Sequence, residues 1–269
     1  MSTPVVTTAG TPSGRARNHL SPGRRAWRRF CRNRRGYVSL WIFSILLVLS
    51  LFAEVLSNDR PLLIQYQGGH YFPFLKAYPE TTFGGDFGTE ADYNDPAVQT
   101  LLTRDGNWVV YAPNRHSFGS INYFTDQPNP AAPGSTNLLG TDDRGRDVLA
   151  RLLYGFRLSV LFAFALTVVG TFIGVLLGAL QGYFGGKFDL LFQRFVEIWN
   201  SMPELYLLII FASLFQPSVL LLIILLSLFG WMGLADYVRA EFLRGRNMDY
   251  VRAARALGVS NRAIMWRHL

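Results

Sequence analysis

Carboxylate and amide side chains recur every three or four residues in one mostly apolar stretch: Asp189, Gln193, Glu197, Asn200 and Glu204. This spacing puts all five on one face of a helix. A carboxylate at membrane depth is costly unless it meets water or a partner, so this face should line a cavity or a subunit contact. Glu197, Asn200 and Glu204 are therefore candidate pathway-lining residues, and Pro203 should kink the helix beside them. Alternatively, Asp189 and Gln193 lie in the cytoplasmic headgroup zone, leaving Glu197 and Glu204 as the deep charges.

A second acidic cluster, Asp142, Asp143 and Asp147, precedes a long apolar stretch. Three carboxylates could bind a cation, but arginines are interleaved and the spacing is not that of a calcium loop. The pattern favours a helix cap instead, with Thr141, Asp142 or Asp143 beginning a short amphipathic helix. The apolar side of that helix would carry Val148, Leu149, Leu152 and Leu153.

No pattern in the sequence indicates an enzyme. The nearest approach to a phosphate-binding loop, around Gly185-Gly186-Lys187, has Gln181 in place of the first glycine and Phe188 in place of the Ser or Thr. The four histidines are scattered, and the one cysteine, Cys31, cannot form an internal disulfide. We therefore expect no catalytic residue, no metal and no cofactor.

The composition indicates a membrane protein. Half of the 269 residues are hydrophobic and only 16% are charged, which disfavours a soluble enzyme, a disulfide-rich module and a disordered chain. Long uncharged runs predict an all-α, polytopic inner-membrane helical bundle with four visible spans, at 37–56, 157–183, 188–214 and 218–238. Pro217 is the natural turn between the last two. A cleavable signal peptide is the alternative for the first span, but its basic region would be unusually long.

The arginines predict the orientation. Residues 1–35 carry nine Arg and no acid, and seven Arg follow the fourth span. By the positive-inside rule, both the N-terminal tail (1–36) and the C-terminal segment (239–269) are cytoplasmic. The net charge of +8 could also indicate nucleic acid, but a basic run beside a span is better explained by membrane lipid headgroups, so we expect no nucleic-acid partner.

The segment between the first two spans lies outside in this scheme. Residues 57–139 hold 13 aromatic side chains, Phe124 among them, too many for a disordered linker. We predict an ordered periplasmic insertion that, with the amphipathic helix leading into the second span, occupies residues 57–156. Two interpretations stay open: a lid packed on the chain's own helices, or a docking face for a soluble partner or an incoming substrate.

Four glycines are spaced four apart in the second span: Gly170, Gly174, Gly178 and Gly182. Small residues at this spacing let another helix approach to backbone distance. The stripe predicts helix packing within a bundle or at a subunit interface.

The segment after the fourth span reads as helix, glycine, helix. Met248 to Leu257 is a plausible helix, Gly258 suits the left-handed position after it, and Ser260 can cap a second helix beginning at Asn261. This shape fits a groove in another protein, or equally an amphipathic helix on the membrane surface. Two functions remain open at this point: a membrane subunit driven by an external motor, and a secondary transporter in which Glu197 or Glu204 carries protons.

The run from Ala253 to Gly258, followed by Ile264 and Arg267-His268-Leu269, resembles the cytoplasmic EAA loop of ABC importer permeases. The run from Gly140 to Leu149 resembles the sequence before the second span of dipeptide and oligopeptide permeases, and the long insertion resembles that of the microcin-C-type oligopeptide permease. The resemblance covers roughly residues 24–56 and 138–269.

This resemblance implies a permease subunit that forms half of a translocation pathway for peptides. It implies a second homologous permease subunit, two ABC ATPase subunits or domains and a periplasmic substrate-binding protein as partners. It assigns ATPase coupling to one set of residues: Arg252, Ala253, Ala254, Arg255, Ala256, Leu257, Gly258 and Ile264.

Two departures from the family pattern matter. Arg252 stands where the motif has Glu, which reverses a charge at the docking surface. Six spans are usual in these permeases, so we expect the chain to be truncated after Leu269, without the last two.

Overall fold

The computed structural model describes residues 21–123 and 127–269. They form two compact units, one ending at Leu51 and the other running from Phe52 to Leu269. Residues 1–20 of the predicted basic tail lie outside the described residues, as does Phe124 of the aromatic set.

The described part of the first unit, from residue 21, consists of two helices, α1 (Pro22–Arg32) and α2 (Arg34–Leu51). Asn33 separates them with an extended backbone (ψ 90°), and its side-chain oxygen accepts a hydrogen bond from the Gly36 amide. The 18 residues of α2 are apolar enough to cross a membrane. This helix begins before and ends before the predicted span at 37–56.

The second unit opens with a small mixed subdomain, the outer subdomain, from Phe52 to Asp147. It contains α3 (Ala53–Leu56), α4 (Pro96–Thr103), two 3₁₀ turns (Glu80–Phe83 and Arg104–Gly106) and an antiparallel sheet ordered β2 (Gly69–Tyr71), β1 (Leu63–Tyr66), β3 (Trp108–Val110). Ile64 pairs with Tyr71 on one side and with Val109 on the other. The sequence predicted an all-α protein, and this small sheet is an exception to that prediction. Among the described residues, its strands lie in the insertion, which has a core of its own.

That core forms around one aromatic side chain. Phe83 is fully buried, and Tyr66, Tyr71 and Tyr93 meet its ring edge to face. Aromatic rings prefer this arrangement because the positive edge of one meets the negative face of the other. Six of the 13 aromatic residues counted in the sequence lie in or against this core: Tyr66, Tyr71, Tyr78, Phe83, Tyr93 and Tyr111.

The remaining helices are mostly long and apolar. They are α5 (Val148–Phe184), α6 (Gly186–Asn200), α7 (Glu204–Leu214), α8 (Val219–Gly230) and α9 (Met232–Gly245), followed by the short α10 (Asp249–Ala256) and α11 (Asn261–Arg267). Within the described residues, three helical stretches are long and apolar enough to cross a membrane, and a bent pair makes a fourth if it is one span. The chain is therefore a helical membrane protein.

Three boundaries differ from the sequence predictions. The helix of 37 residues that starts at Val148 is continuous, so the short amphipathic helix expected before the second span is simply its first turns. The stretch predicted as one kinked span at 188–214 is two helices, α6 and α7, bent by 65°. Proline lacks an amide hydrogen and disfavours helix in the residue before it, which explains the break at Ser201–Pro203. The last stretch continues to Gly245 rather than ending at 238.

Candidate coupling surface and transport pathway

The coupling element, defined as α10, Gly258 and α11, is a pair of short helices joined by a tight turn. Gly258 has φ +80°, a conformation that favours glycine. The Val259 amide donates to the Ala254 carbonyl at 3.1 Å and the Gly258 amide to the Arg255 carbonyl at 3.0 Å. These two bonds are a Schellman motif, which ends a helix while satisfying its last carbonyls. Ser260 caps α11 by accepting from the Ala263 amide.

One residue of α5 anchors this element. The Tyr183 hydroxyl donates to the Asn261 side-chain oxygen at 2.6 Å, and its carbonyl accepts from the Arg246 guanidinium at 3.3 Å. The Arg255 guanidinium lies 5.4 Å from the centre of the Tyr183 ring, within cation–π range. Tyr183, Val251, Ala254 and Ile264 form a buried cluster, with Phe242 of α9 packed against it.

The coupling element therefore has two faces. Ala254 is 7% exposed and Ile264 is fully buried, so both pack inside the permease's own structure. In the structure these two residues hold the element against α5, and their assignment to ATPase coupling stays a prediction. The other six predicted residues, Arg252, Ala253, Arg255, Ala256, Leu257 and Gly258, are exposed, and Leu257 is 84% exposed.

The glycine stripe lies against α9. A Cβ atom added at Gly174 would lie 2.9 Å from the Trp231 carbonyl oxygen, and one at Gly182 would lie 2.5 Å from the Arg239 carbonyl oxygen. Real Cβ atoms do not approach this closely, so α5 and α9 meet at backbone distance. Gly170 is looser, with the Gly230 carbonyl oxygen at 3.8 Å from the added atom.

An ion pair joins α6 to the same helix. The Arg239 guanidinium donates to both carboxylate oxygens of Asp189, one of them at 2.8 Å, in a bidentate arrangement. The Asp189 side chain is 9% exposed and that of Arg239 25%. A buried carboxylate needs such a partner. The pairing therefore explains why these two charged side chains are tolerated in apolar helices.

The predicted polar face is divided by the bend. Asp189 points inward to Arg239, whereas Glu197 is exposed and pairs with Arg194 on its own helix. Asn200 is exposed at the end of α6, and Glu204 begins α7 beyond the break. The five residues therefore do not share one continuous face.

Of the three candidate pathway-lining residues, Glu204 is the one that borders the two clefts described next. It lines a cleft of about 340 Å³ together with Gly170 of α5 and Ser227 of α8. It also lines an apolar cleft of about 250 Å³ with Trp199 and Phe229. Glu197 and Asn200 line neither of these clefts.

In the outer subdomain, Asp147 caps α5. The fully buried Asp147 carboxylate accepts from the Ala150 amide at 2.7 Å and from the side-chain amides of Asn114 at 2.8 Å and Asn137 at 2.9 Å. The predicted capping role of Thr141, Asp142 or Asp143 is therefore wrong, because the helix begins at Val148 and the residue directly before it supplies the cap.

Asp142 instead closes the turn before α5. Desolvation opposes ionisation of its carboxyl group, but hydrogen bonds from the Arg146 side chain and from the Arg146 and Arg144 amides outweigh it and hold the pKa well below its usual range. Arg151 also pairs with it. Within the ranges 21–123 and 127–269, no group of three or more metal-ligating side chains occurs.

Several of these positioning residues were missed by the sequence interpretation: Tyr183, Arg239, Asn114 and Asn137. One signal was present, since an arginine in an apolar helix needs an acidic partner, and Asp189 stands earlier in the chain, in α6. The asparagines carried no such signal.

Residues 170–269 match the family described as binding-protein-dependent transport system inner membrane component, and residues 21–70 match the N-terminal TM domain of oligopeptide transport permease C. The inner membrane ABC transporter permease protein YejE of Escherichia coli (strain K12) is 54% identical over 253 residues, which cover 94% of this chain and 74% of that protein. The chain belongs to the oligopeptide-type ABC transporter permeases.

Two further relatives support the same family assignment. The peptidoglycan transport system permease protein YejE of Agrobacterium fabrum is 46% identical over 91% of this chain and 70% of its own length. The oligopeptide transport system permease protein OppC of Haemophilus influenzae is 38% identical over 49% of this chain and 43% of its own length. The permease is thus an inner-membrane, multi-pass transport subunit and not an enzyme, and its family implies ATPase, substrate-binding and second-permease partners.

Proposed function

We propose that this permease forms half of an import pathway for peptides or peptide-bearing cell-wall fragments, with a second homologous permease forming the other half. The named relatives support this substrate class, since they serve oligopeptide and peptidoglycan transport. Two ATPase subunits or domains would drive the cycle, and a periplasmic binding protein would deliver the substrate. Among the predicted polar residues, Glu204 is the best candidate to line the pathway, because it borders two clefts.

The two-faced coupling element is the observation that carries this proposal. One face is fixed on Tyr183 and Phe242, while Arg252, Ala253, Ala256 and Leu257 remain exposed. An exposed leucine beside small residues suits a groove in a partner protein, because small side chains permit close approach. We infer that this face docks on the ATPase, with Arg252 giving it a positive charge.

The packing of the anchored face provides a route for motion. Tyr183 lies next to Gly182 at the end of α5, and Phe242 belongs to α9, which packs along the glycine stripe. Displacement of the coupling element would therefore move the ends of both α5 and α9. The ion pair between Asp189 and Arg239 would carry the same movement to α6.

We also propose that the N-terminus and the coupling element lie in the cytoplasm and that the outer subdomain lies in the periplasm. The arginine distribution supports this orientation. On that side of the membrane, the outer subdomain is placed to meet the binding protein.

A single substitution tests the coupling role. Because Leu257 is 84% exposed, Leu257→Glu should leave the permease folded. In the complex purified from membranes, we expect ATPase association to weaken by roughly tenfold or more, as for a central interface residue. Substrate-stimulated ATP hydrolysis should fall with it.

Leu75→Glu is the matched control, since Leu75 is 74% exposed in the outer subdomain. The Leu75→Glu permease should associate with the ATPase as strongly as the unsubstituted permease does. Equal association of both variants with the ATPase would contradict docking through α10. A secondary transporter would instead take up substrate into liposomes without any ATPase, driven by a pH gradient and abolished by Glu204→Gln or Glu197→Gln.

A further inference from the structure

Helix α1 is divided lengthwise into a basic half and an apolar half. At 3.6 residues per turn, its five arginines fall within an arc of roughly 140°. Ala26, Trp27, Phe30 and Cys31 fall within the opposite arc. The five arginines are Arg24, Arg25, Arg28, Arg29 and Arg32.

Neither half is covered by the part of the chain that the structure describes. Trp27 is 57% exposed and stacks on Phe30 with ring centres 5.7 Å apart, so the two rings form one apolar surface. All five arginines are exposed, and none of them forms an ion pair with another described residue. An apolar face and an unpaired basic face on one short helix require an environment that is itself divided in this way.

The helix is also next to a membrane span. Asn33 interrupts the helical backbone between α1 and α2, so α1 does not simply prolong the span. A Cβ atom added at Gly36 would lie 3.4 Å from the Phe30 ring, which shows that Phe30 packs against the first turn of α2. The break therefore holds α1 beside the end of the span, where the lipid headgroups begin.

We propose that α1 is an interfacial anchor that lies in the plane of the membrane and binds anionic phospholipid. Trp27 and Phe30 insert at the boundary of the acyl chains, where amphipathic aromatic rings are favoured. The arginines contact lipid phosphates, which a guanidinium binds through paired hydrogen bonds. Charge complementarity identifies the ligand as an anionic leaflet, and the proposal is independent of the coupling function.

The unique cysteine permits a direct test in the full chain. A nitroxide label on Cys31, in the apolar arc, is compared with one on Arg28→Cys in a Cys31→Ser background. The permease is reconstituted in phosphatidylcholine vesicles with and without phosphatidylglycerol. With phosphatidylglycerol, we expect the label at 31 to collide more with lipid-dissolved oxygen than with a water-soluble nickel chelate, and the label at 28 to show the reverse.

Variants that remove the same number of charges distinguish lipid binding by the basic face of α1 from a general effect of positive charge near the membrane. Arg25→Gln with Arg29→Gln removes two charges from the basic face, whereas Arg34→Gln with Arg35→Gln removes two from the start of α2. We expect only the first pair to abolish the effect of phosphatidylglycerol on the Cys31 label. Equal water accessibility at positions 28 and 31 in both lipids would overturn the proposal. Protection of Cys31 that appears only on adding RNA or the ATPase would assign α1 to that partner instead.

Discussion

Asp147 is a buried carboxylate that joins two segments of the outer subdomain to α5. Its partners are Asn114, Asn137 and the Ala150 amide at the start of the helix. All three partners donate hydrogen bonds to the carboxylate, and an acidic side chain at a helix N-terminus interacts favourably with the helix dipole. One residue thus fixes both the loops and the helix that follows them.

We expect Asp147→Ala to destabilise the outer subdomain by roughly 2–4 kcal/mol, because it removes a helix cap and the acceptor of the buried Asn137 amide, while the Asn114 amide keeps its bond to the Ser57 hydroxyl. Limited proteolysis of the purified permease measures this change as faster cleavage between residues 57 and 147. Asp143→Ala is the control, since Asp143 is exposed and four residues away. Similar cleavage rates for the two variants would show that the Asp147 network is not structural.

At the scale of elements, the contact between α5 and α9 depends on the absence of side chains. The glycine stripe faces the backbone of α9 from Trp231 to Arg239. Dispersion contacts at such short distances are numerous, and no side chain has to be ordered to make them. Because α9 lies this close to α5, its residue Phe242 packs against the buried cluster of the coupling element.

Gly178→Ala tests this contact. The added methyl group would lie 2.9 Å from the Val238 Cβ atom and closer still to the Ala235 carbonyl oxygen, so the helices must separate. We expect a loss of about 1–3 kcal/mol, seen as a lower midpoint of thermal unfolding in detergent.

Gly170→Ala is the matched control, because its methyl group would meet nothing closer than 3.8 Å. Alanine also favours helix over glycine by up to about 1 kcal/mol. The control should therefore unfold at the same temperature or slightly higher. A lower midpoint for Gly170→Ala than for Gly178→Ala would contradict the observed packing.

At the scale of the whole molecule, the bent pair α6 and α7 decides the topology. If the pair crosses the membrane once, the chain has four spans and its two ends lie on the same side. If the pair enters and leaves on one side, three spans remain and the ends lie on opposite sides. The basic residues at both ends favour the first arrangement.

Labelling with a membrane-impermeant maleimide distinguishes the two arrangements. We expect Arg28→Cys and Ala253→Cys, each in a Cys31→Ser background, to react only in inverted membrane vesicles. Phe87→Cys in the same background, 65% exposed in the outer subdomain, should react only in right-side-out vesicles. Reaction of Ala253→Cys from the outside would show that the bent pair is a re-entrant loop.

Local patterns in the chain were sufficient to predict the class of protein, the approximate spans, the glycine stripe and the turn at Gly258. Each of these depends on residues a few positions apart, and the physics that links them acts along one helix. The break at Pro203 was foreseen as a kink for the same reason, although its angle of 65° was not.

The contacts that give these elements their roles join residues far apart in the chain. Asn114 and Asp147 are 33 positions apart, Asp189 and Arg239 are 50 apart, and Tyr183 and Asn261 are 78 apart. Such pairs form only after helices and loops have packed, and a periodic pattern does not say which neighbour a face will meet. For this reason, folding alone separates Ala254 and Ile264, which are buried, from Leu257, which is exposed.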